Sequence, residues 1–397
     1  MRNILRQRRR SLIAVAAIGF GVIAILLAAG FIEWIFWASR EGVAVTQFGH
    51  VQVVKPGYYE GGKADSFAFM LPKSSPALSL ISQTPGVVSV SPRLGFSGLI
   101  SHGESTISFI GEGIEPSLDP SSRYLIITEG KLLSSEDEKG ILVGTGLAAN
   151  LGVKTGDSIV LLANTSSGGV NAVEGRVRGL VSASVKAIDD SMLRLSIGMA
   201  RELLKVSGSH VWVVTLQKTE MTDSVAKQLN SRESLQGFEI APWSQLADFY
   251  NKTVALLTRQ ISVVKVIIAI IIVLSISNTM TMSVMERTIE IGTSMALGVR
   301  RRRVMHLFLL EGGILGLIGG GVGILVGYLL SLIISFVGIP MPPAPGMSQG
   351  FTASIIVTPS IMWEAMLLAM ATTLIASIYP SWRASRMVIV DALRHNR

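Results

Sequence analysis

The 397-residue chain contains no cysteine. That excludes disulfides, thiolate metal sites and cysteine nucleophiles, and leaves the compartment open. Charge is scarce as well: 16% of residues are Asp, Glu, Lys or Arg, where an average soluble domain carries about 25%. The shortfall is local. Residues 11–32, 266–285 and 312–363 hold no charged residue at all. Mean hydropathy is +0.51 and the pI about 9.8, with a formal net charge of +8. Basic balance alone suits nucleic acid or anionic lipid. Here the arginines flank the apolar runs, so membrane orientation is the better account and nucleic acid is not an expected partner.

A helix needs about 20 apolar residues to cross the hydrocarbon core. The 312–363 stretch is too long for one span, and four prolines in 339–350 divide it. The runs therefore predict four transmembrane helices, at 1–38 together with a basic N-terminus, at 257–284, at 304–337 and at 360–381. A cleaved signal peptide is the alternative for the first. Signal h-regions run about 7–15 residues, this run is longer, and three more follow, so an uncleaved helix is preferred. Arg2, Arg6, Arg8, Arg9 and Arg10 precede span one. Arg287 and Arg300 to Arg303 lie between spans two and three, and Arg383, Arg386, Arg394 and Arg397 lie in the tail. The 338–359 link between spans three and four has no Lys or Arg. By the positive-inside rule both termini, the 285–303 link and the 382–397 tail are cytoplasmic in a multi-pass membrane protein. Trp34, Trp37 and Trp363 fall where interfacial aromatics belong.

Residues 39–256 are then outside the cytoplasm and numerous enough to bury a core. β-Branched content predicts strands at 50–54, 87–90, 106–110, 140–143, 158–162 and 211–216. Helices are predicted at 76–83, 146–151, 197–206 and 223–232. Without a strict βαβ rhythm the expectation is an α+β domain in two lobes, with the glycine-rich 166–170 as a surface loop. No helix breaker interrupts 245–268, and Leu246, Phe249, Val254, Leu257 and Ile261 recur near helical spacing. The second span is therefore expected to project outward as a stalk, with Glu33, Arg40 and Glu41 marking a matching extension of the first. A short surface helix is the plainer alternative.

The most informative stretch is 285–321. Residues 286–295 can form a short amphipathic helix with Ile289 and Met295 apolar among polar neighbours, and Ala296-Leu297-Gly298 ends it with glycine as cap. Such a helix can dock in a groove of a cytoplasmic partner, or it can be an interfacial connector held by lipid phosphate; the residues alone leave both open. Gly312, Gly316 and Gly320 repeat every four residues, as do Gly319, Gly323 and Gly327, a spacing that lets helices approach closely in lipid. A dimer seam and packing within the subunit are both open. Glu311 and His306 can be read as a proton site or as interfacial groups paired with a nearby arginine.

Glu286-Arg287-Thr288, Glu290-Ile291-Gly292 and Ala296-Leu297-Gly298, followed by Phe308, Glu311 and Gly319-Gly320, resemble the ERT-x-EIG-x-x-x-A-[LV]-G signature of MacB/FtsX/LolC-type ABC transporter permeases. Tyr379-Pro380-Ser381-Trp382-Arg383-Ala384-Ser385-Arg386 and Asp391-Ala392-Leu393-Arg394 are similar to that family's terminal pattern, with Val390 for its proline and Asp391 for its glutamate. Residues 142–157 are similar to its LG-x-K-x-GD segment. The resemblance implies four spans with a MacB-type α+β periplasmic core inserted between helices 1 and 2. It also implies a coupling helix (Glu286, Arg287, Thr288, Glu290, Ile291, Gly292, Ala296, Leu297, Gly298) that binds an ABC ATPase dimer. A second permease copy or paralogue, membrane lipids, and a periplasmic adaptor or substrate acceptor complete the implied partners.

The sequence has no G-x-x-x-x-G-K-[ST] loop to cradle nucleotide phosphates. No cofactor is expected on this chain; ATP and Mg belong to a partner ATPase. The five histidines (His50, His102, His210, His306, His395) are scattered, without H-E-x-x-H or G-x-S-x-G, so an enzyme is the remote hypothesis. An export or extraction permease for a lipoprotein, peptide or amphiphilic drug, working by mechanotransmission, is the first expectation. An FtsX-like signalling module that activates a cell-wall hydrolase is the alternative.

Overall fold

The computed structural model describes residues 8–62, 64–121, 125–183, 185–343 and 350–387, with the side chains of 8–10 left aside. Arg2, Arg6, Val390, Asp391, Ala392, Leu393, Arg394, His395 and Arg397, and the side chains of Arg8, Arg9 and Arg10, lie outside the described residues. The chain divides into a helical unit (residues 1–37, 253–340 and 352–397) and a sheet unit (residues 38–252 and 341–351).

Among the described residues four helices are long and apolar enough to cross a membrane. They are Arg8–Glu41, Asp248–Glu286, Arg301–Val337 and Pro359–Ser385, termed here the first to fourth span helices. All four exceed what a bilayer needs: at helical rise they run from about 40 Å for the 27-residue fourth to about 58 Å for the 39-residue second, against a hydrocarbon core of about 30 Å. One face of the first, Ala14, Ile18, Val22, Ile25 and Leu26, is buried at helical spacing, while Leu12 and Phe20 are exposed, as suits a lipid-facing side.

The third span helix explains the glycine spacing. A Cβ on Gly312 or Gly316 would strike Ser377 or Thr373 of the fourth span helix, and one on Gly320 would come within 2.9 Å of Met366 Sδ. A Cβ on Gly319 would lie 2.8 Å from Ile18, on Gly323 2.7 Å from Val22, and on Gly327 2.9 Å from Leu26, all on the first span helix. The two glycine rows therefore admit two neighbours of the same chain, one on each side. Opposite the first row stand Thr373 and Ser377, buried. Their hydroxyls are satisfied inside their own helix; Thr373 Oγ1 donates to the Ala369 carbonyl (2.9 Å) and Ser377 Oγ to Thr373 (2.7 Å). Small polar residues can thus line a lipid-buried contact without stranding a polar atom. At one end of the unit Lys265 Nζ lies 2.6 Å from Glu364 Oε2, a pair between the second and fourth span helices that sequence reading missed.

The sheet unit carries one ten-stranded mixed sheet. Its strands are β1 (Val51–Val54), β2 (Val87–His102), β3 (Ser105–Ile114), β4 (Ile126–Gly130), β5 (Gly140–Gly144), β6 (Ser158–Asn164), β7 (Val170–Ser182), β8 (Met192–Ser196), β9 (Val211–Leu216) and β10 (Glu239–Pro242). The order is β10-β1-β9-β2-β3-β8-β5-β7-β4, with β6 across β2 and β7. The two expected lobes are two cores on this shared sheet. One gathers Val53, Ile81, Trp212, Val214 and Leu229; the other gathers Leu94, Phe109, Ile141, Leu161, Leu195 and Leu203. The 16-residue β2 serves both, pairing β9 through its first half and β3 through its second.

Within this unit the first span helix continues through a wide π turn, Gly42–Gln47. The Gln47 carbonyl accepts from Arg93 Nη1 (3.3 Å), and Arg93 Nη2 reaches Asp119 (3.0 Å). Burial opposes charge on Asp119, but Arg93 and Arg194 outweigh it and hold the carboxyl below its usual range. His50 Nδ1 accepts the Leu216 N–H (3.2 Å), which leaves the proton on Nε2 to donate to Thr219, whose hydroxyl donates to Glu41 (3.1 Å). Burial pushes the His50 imidazole down against the pull of Glu41 and Glu220, which favours this neutral form.

One expectation is corrected here. The stretch from Gln245 is not one helix: a turn, Trp243–Leu246, ends at Ala247 (φ −87°, ψ 59°), and the long helix begins at Asp248. Trp243 packs with Ala44, Ala247 and Tyr250, and this anchor sets the break, with Asp248 supplying the acid a helix start favours.

The glycine contacts carry a test. Gly316→Val and Gly312→Val should each lower the stability of the detergent-solubilised chain by about 1–3 kcal/mol, the range for overpacking a tight contact. Gly321→Val, where a Cβ meets nothing within 4 Å, should change the melting temperature far less.

Candidate coupling site

The second span helix ends at Glu286, and Arg287 leaves helical geometry (φ −98°, ψ 14°) before a short link helix, Thr288–Ala296. Thr288 causes much of this break. Its hydroxyl donates to the Met285 carbonyl (2.7 Å), giving a partner to one of the carbonyls that a helix end leaves open. At the other end Gly298 takes φ +93°, with its N–H on the Met295 carbonyl (3.0 Å) and the Val299 N–H on Ser294 (3.1 Å). Only glycine adopts that left-handed cap readily. Arg300 is extended, and the third span helix starts at Arg301.

The link helix has two faces. Arg287, Thr288, Ile291, Gly292 and Met295 are buried; Glu286, Glu290, Ala296 and Gly298 are exposed, as is Ile289. Ile291 and Met295 join the core of the helical unit with Val284, Val304 and Phe308. Leu297, 83% exposed, stands at the tip. The sequence reading placed Ile289 and Met295 together as the apolar side. Six residues apart on a helix, they point in different directions, and Ile291 takes the place of Ile289 on the buried face.

Arg287 is the fixed point of the site. Its Nη1 lies 3.2 Å and 3.4 Å from the two oxygens of Glu311 on the third span helix, and the two side chains are 10% and 12% exposed. Glu311 adjoins Gly312, so the pair sits beside the close contact with the fourth span helix. Glu311 is thus an arginine partner, while His306 is exposed. A buried charge left alone is costly, and one held by its opposite fixes geometry more than it adds stability. The link helix is therefore fastened to the span bundle through a charge pair and two apolar side chains. Its Leu297 tip and Glu286–Glu290 edge face away from that attachment.

The other sequence-marked residues have structural duties. In the terminal pattern Pro380, Ser381 and Ala384 are buried, and the Arg386 guanidinium lies 4.7 Å from the Trp382 ring centre. The 142–157 segment is a strand end and a helix, Thr145–Leu151, capped by Gly152 at φ 74°. A turn follows in which the Lys154 N–H donates to Asp157 (2.8 Å). The described residues hold no cluster of three or more His, Asp or Glu able to bind a metal ion.

Comparison with known proteins matches the chain in two parts. Residues 11–232 match the MacB-like periplasmic core domain and residues 262–389 the FtsX-like permease C-terminal domain. An uncharacterized ABC transporter permease of Methanocaldococcus jannaschii is 26% identical over 280 residues, covering 68% of this chain and 65% of its own length. The lipoprotein-releasing system transmembrane protein LolC of Xylella fastidiosa is 25% identical over 342 residues, 80% of each chain. The macrolide export ATP-binding/permease protein MacB of Bordetella avium is 29% identical over 174 residues, 42% of this chain and 27% of that protein. The chain thus spans about two thirds of the archaeal relative and about a quarter of that MacB. Among solved structures, the periplasmic region of MacB from Actinobacillus actinomycetemcomitans aligns with a TM-score of 0.37 at 16% identity, covering 51% of this chain and 93% of that one.

If the Arg287–Glu311 pair fixes the link, Glu311→Leu or Arg287→Leu alone should cost about 3–5 kcal/mol by leaving a buried charge unpaired, while the double leucine variant should recover most of the loss. Chemical unfolding of the four proteins in one detergent reads this directly.

Proposed function

The chain belongs to the MacB/LolC/FtsX family of ABC transporter permeases, and we propose that it converts ATP hydrolysis on a separate ATPase subunit into movement of its sheet unit. The observation that carries this reading is the two-faced link helix. A partner that binds the outward face at Leu297, Glu286 and Glu290 would push on an element whose other face is clamped through Arg287–Glu311 to the third span helix. The arginines at 300–303 favour placing the link in the cytoplasm, where such an ATPase would be. The sheet unit would then lie on the opposite side of the membrane, with both termini on the link's side.

Long continuous span helices suit transmission of this kind, since a helix is stiff along its axis. Transport would follow from motion of the sheet unit, without a polar pore through the span bundle. The cargo we propose is a lipoprotein, peptide or amphiphilic drug; LolC is named for lipoprotein release and MacB for macrolide export. A second permease copy or paralogue would complete the assembly. It would use faces other than the two glycine rows of the third span helix, which the chain's own first and fourth span helices occupy.

The test is co-purification. Leu297→Asp, at an 83% exposed position, should reduce recovery of the ATPase with the membrane protein at least about tenfold, the effect of burying one unpaired charge in an interface. Insertion and melting temperature should be unchanged. Recovery of the ATPase at the wild-type level would refute the coupling role. Capture of a cell-wall hydrolase with no cargo would favour the signalling alternative.

A further inference from the structure

A cleft of ≈ 480 Å³ opens in the sheet unit where its two cores meet. The cleft is shallow and open to solvent, so a ligand held there keeps part of its surface in water. Met70 and Val206 supply the apolar part of the lining above the buried Leu71; Lys55, Lys205 and Ser166 supply the polar part. Among the described residues neither lysine has a carboxylate at ion-pair distance. The Lys55 ammonium makes one long contact, 3.5 Å to the Ala68 carbonyl.

Lys205 is placed against its conformational preference. It follows the helix Ile197–Leu204 with φ 53° and ψ 49°, and its N–H donates to the Arg201 carbonyl. At the equivalent position after the helix Thr145–Leu151 the chain uses glycine, Gly152. Lys205 is the one non-glycine residue with positive φ among the described residues. A side chain kept where glycine would fit better points to a use for that side chain. The surrounding backbone is fixed. Arg201 Nε donates to the Gly208 carbonyl (2.9 Å), Leu71 and Ser209 exchange two main-chain hydrogen bonds (2.7 and 3.1 Å), and Ser166 Oγ donates to the Lys205 carbonyl (3.1 Å). A wall held this way loses little freedom when a ligand arrives.

We propose that this cleft binds an amphipathic organic anion, a phosphate, sulfate or carboxylate head on an apolar body. The head sits between the Lys55 and Lys205 ammonium groups and the body lies along Met70 and Val206. Charge-assisted contacts from two unpaired ammonium groups supply the head's recognition. An extended peptide is disfavoured because the main-chain groups of Leu71, Gly208 and Ser209 are already engaged with one another, leaving no free row for strand addition. The site does not depend on the ATPase, so its test stands apart from that of the coupling role.

The test uses the full chain in phosphatidylcholine nanodiscs without the ATPase, titrated calorimetrically with hexyl phosphate, hexanol or inorganic phosphate. Hexyl phosphate should bind at least about tenfold more tightly than either fragment, and Lys205→Gln and Lys55→Gln should each weaken it about tenfold. Lys205→Arg should restore binding. Lys205→Gly should lose binding while the melting temperature holds or rises, since the strain is relieved. Nanodiscs containing phosphatidylglycerol distinguish the source. Competition with the probe supports the site with a bilayer headgroup as ligand; unchanged affinity supports it with a diffusing anion. Equal affinity for inorganic phosphate, tighter binding of an acidic peptide, unchanged affinity in the lysine variants, or a lower melting temperature in Lys205→Gly would each overturn the proposal.

Discussion

A charge pair almost sealed from solvent, Arg287 with Glu311, holds the arrangement of the helical unit. It stands where the second span helix stops, where the link helix starts, and one residue before the glycine row that admits the fourth span helix. Separating these charges in a medium of low dielectric costs far more than separating them in water. Any displacement of the link must therefore carry the third span helix with it or break the pair. That constraint makes a nine-residue helix, too short to be stable alone, into a firm handle on a bundle of long helices.

Close packing joins the third span helix to its neighbours. In lipid no hydrophobic drive holds helices together, so van der Waals fit must. The third span helix achieves that fit twice, through two glycine rows on two sides. The first span helix, one of the neighbours so held, runs without interruption to Glu41 and then by a π turn to Gln47. There the sheet unit has its own fastening, Arg93 on the Gln47 carbonyl and the relay from His50 through Thr219 to Glu41.

Much of this was legible in the sequence. The spans show in charge-free runs, the link in its arginines, and the helix-ending role of Gly298 in the residues around it. The four-residue glycine spacing announces close contact but not the partner, because Gly312 and Gly319 look alike until Thr373 and Ile18 are seen opposite them. In the sheet unit the predicted strands correspond to β1, β2, β3, β5, β6 and β9, while β4, β7, β8 and β10 were missed. β7 carried a usable signal, Glu174, Arg176 and Arg178 alternating with Gly175 and Val177, obscured by its glycines. The Arg287–Glu311, Lys265–Glu364 and Arg93–Asp119 pairs join residues 24, 99 and 26 positions apart. No local pattern announces such distant partners. The Ala247 break escaped notice because its cause, Trp243 packing on Ala44, is tertiary.

The proposed function requires the link to face the cytoplasm, where an ATPase would meet it, and the sheet unit to face the other side of the membrane. The absence of native cysteine makes this directly measurable with a membrane-impermeant maleimide on sealed vesicles of known sidedness, using Leu297→Cys and Ser167→Cys as separate single-cysteine proteins. The account predicts that the first is labelled only from the cytoplasmic face and the second only from the other. Labelling of Leu297→Cys from the outer face, or of both proteins from one face, would contradict it.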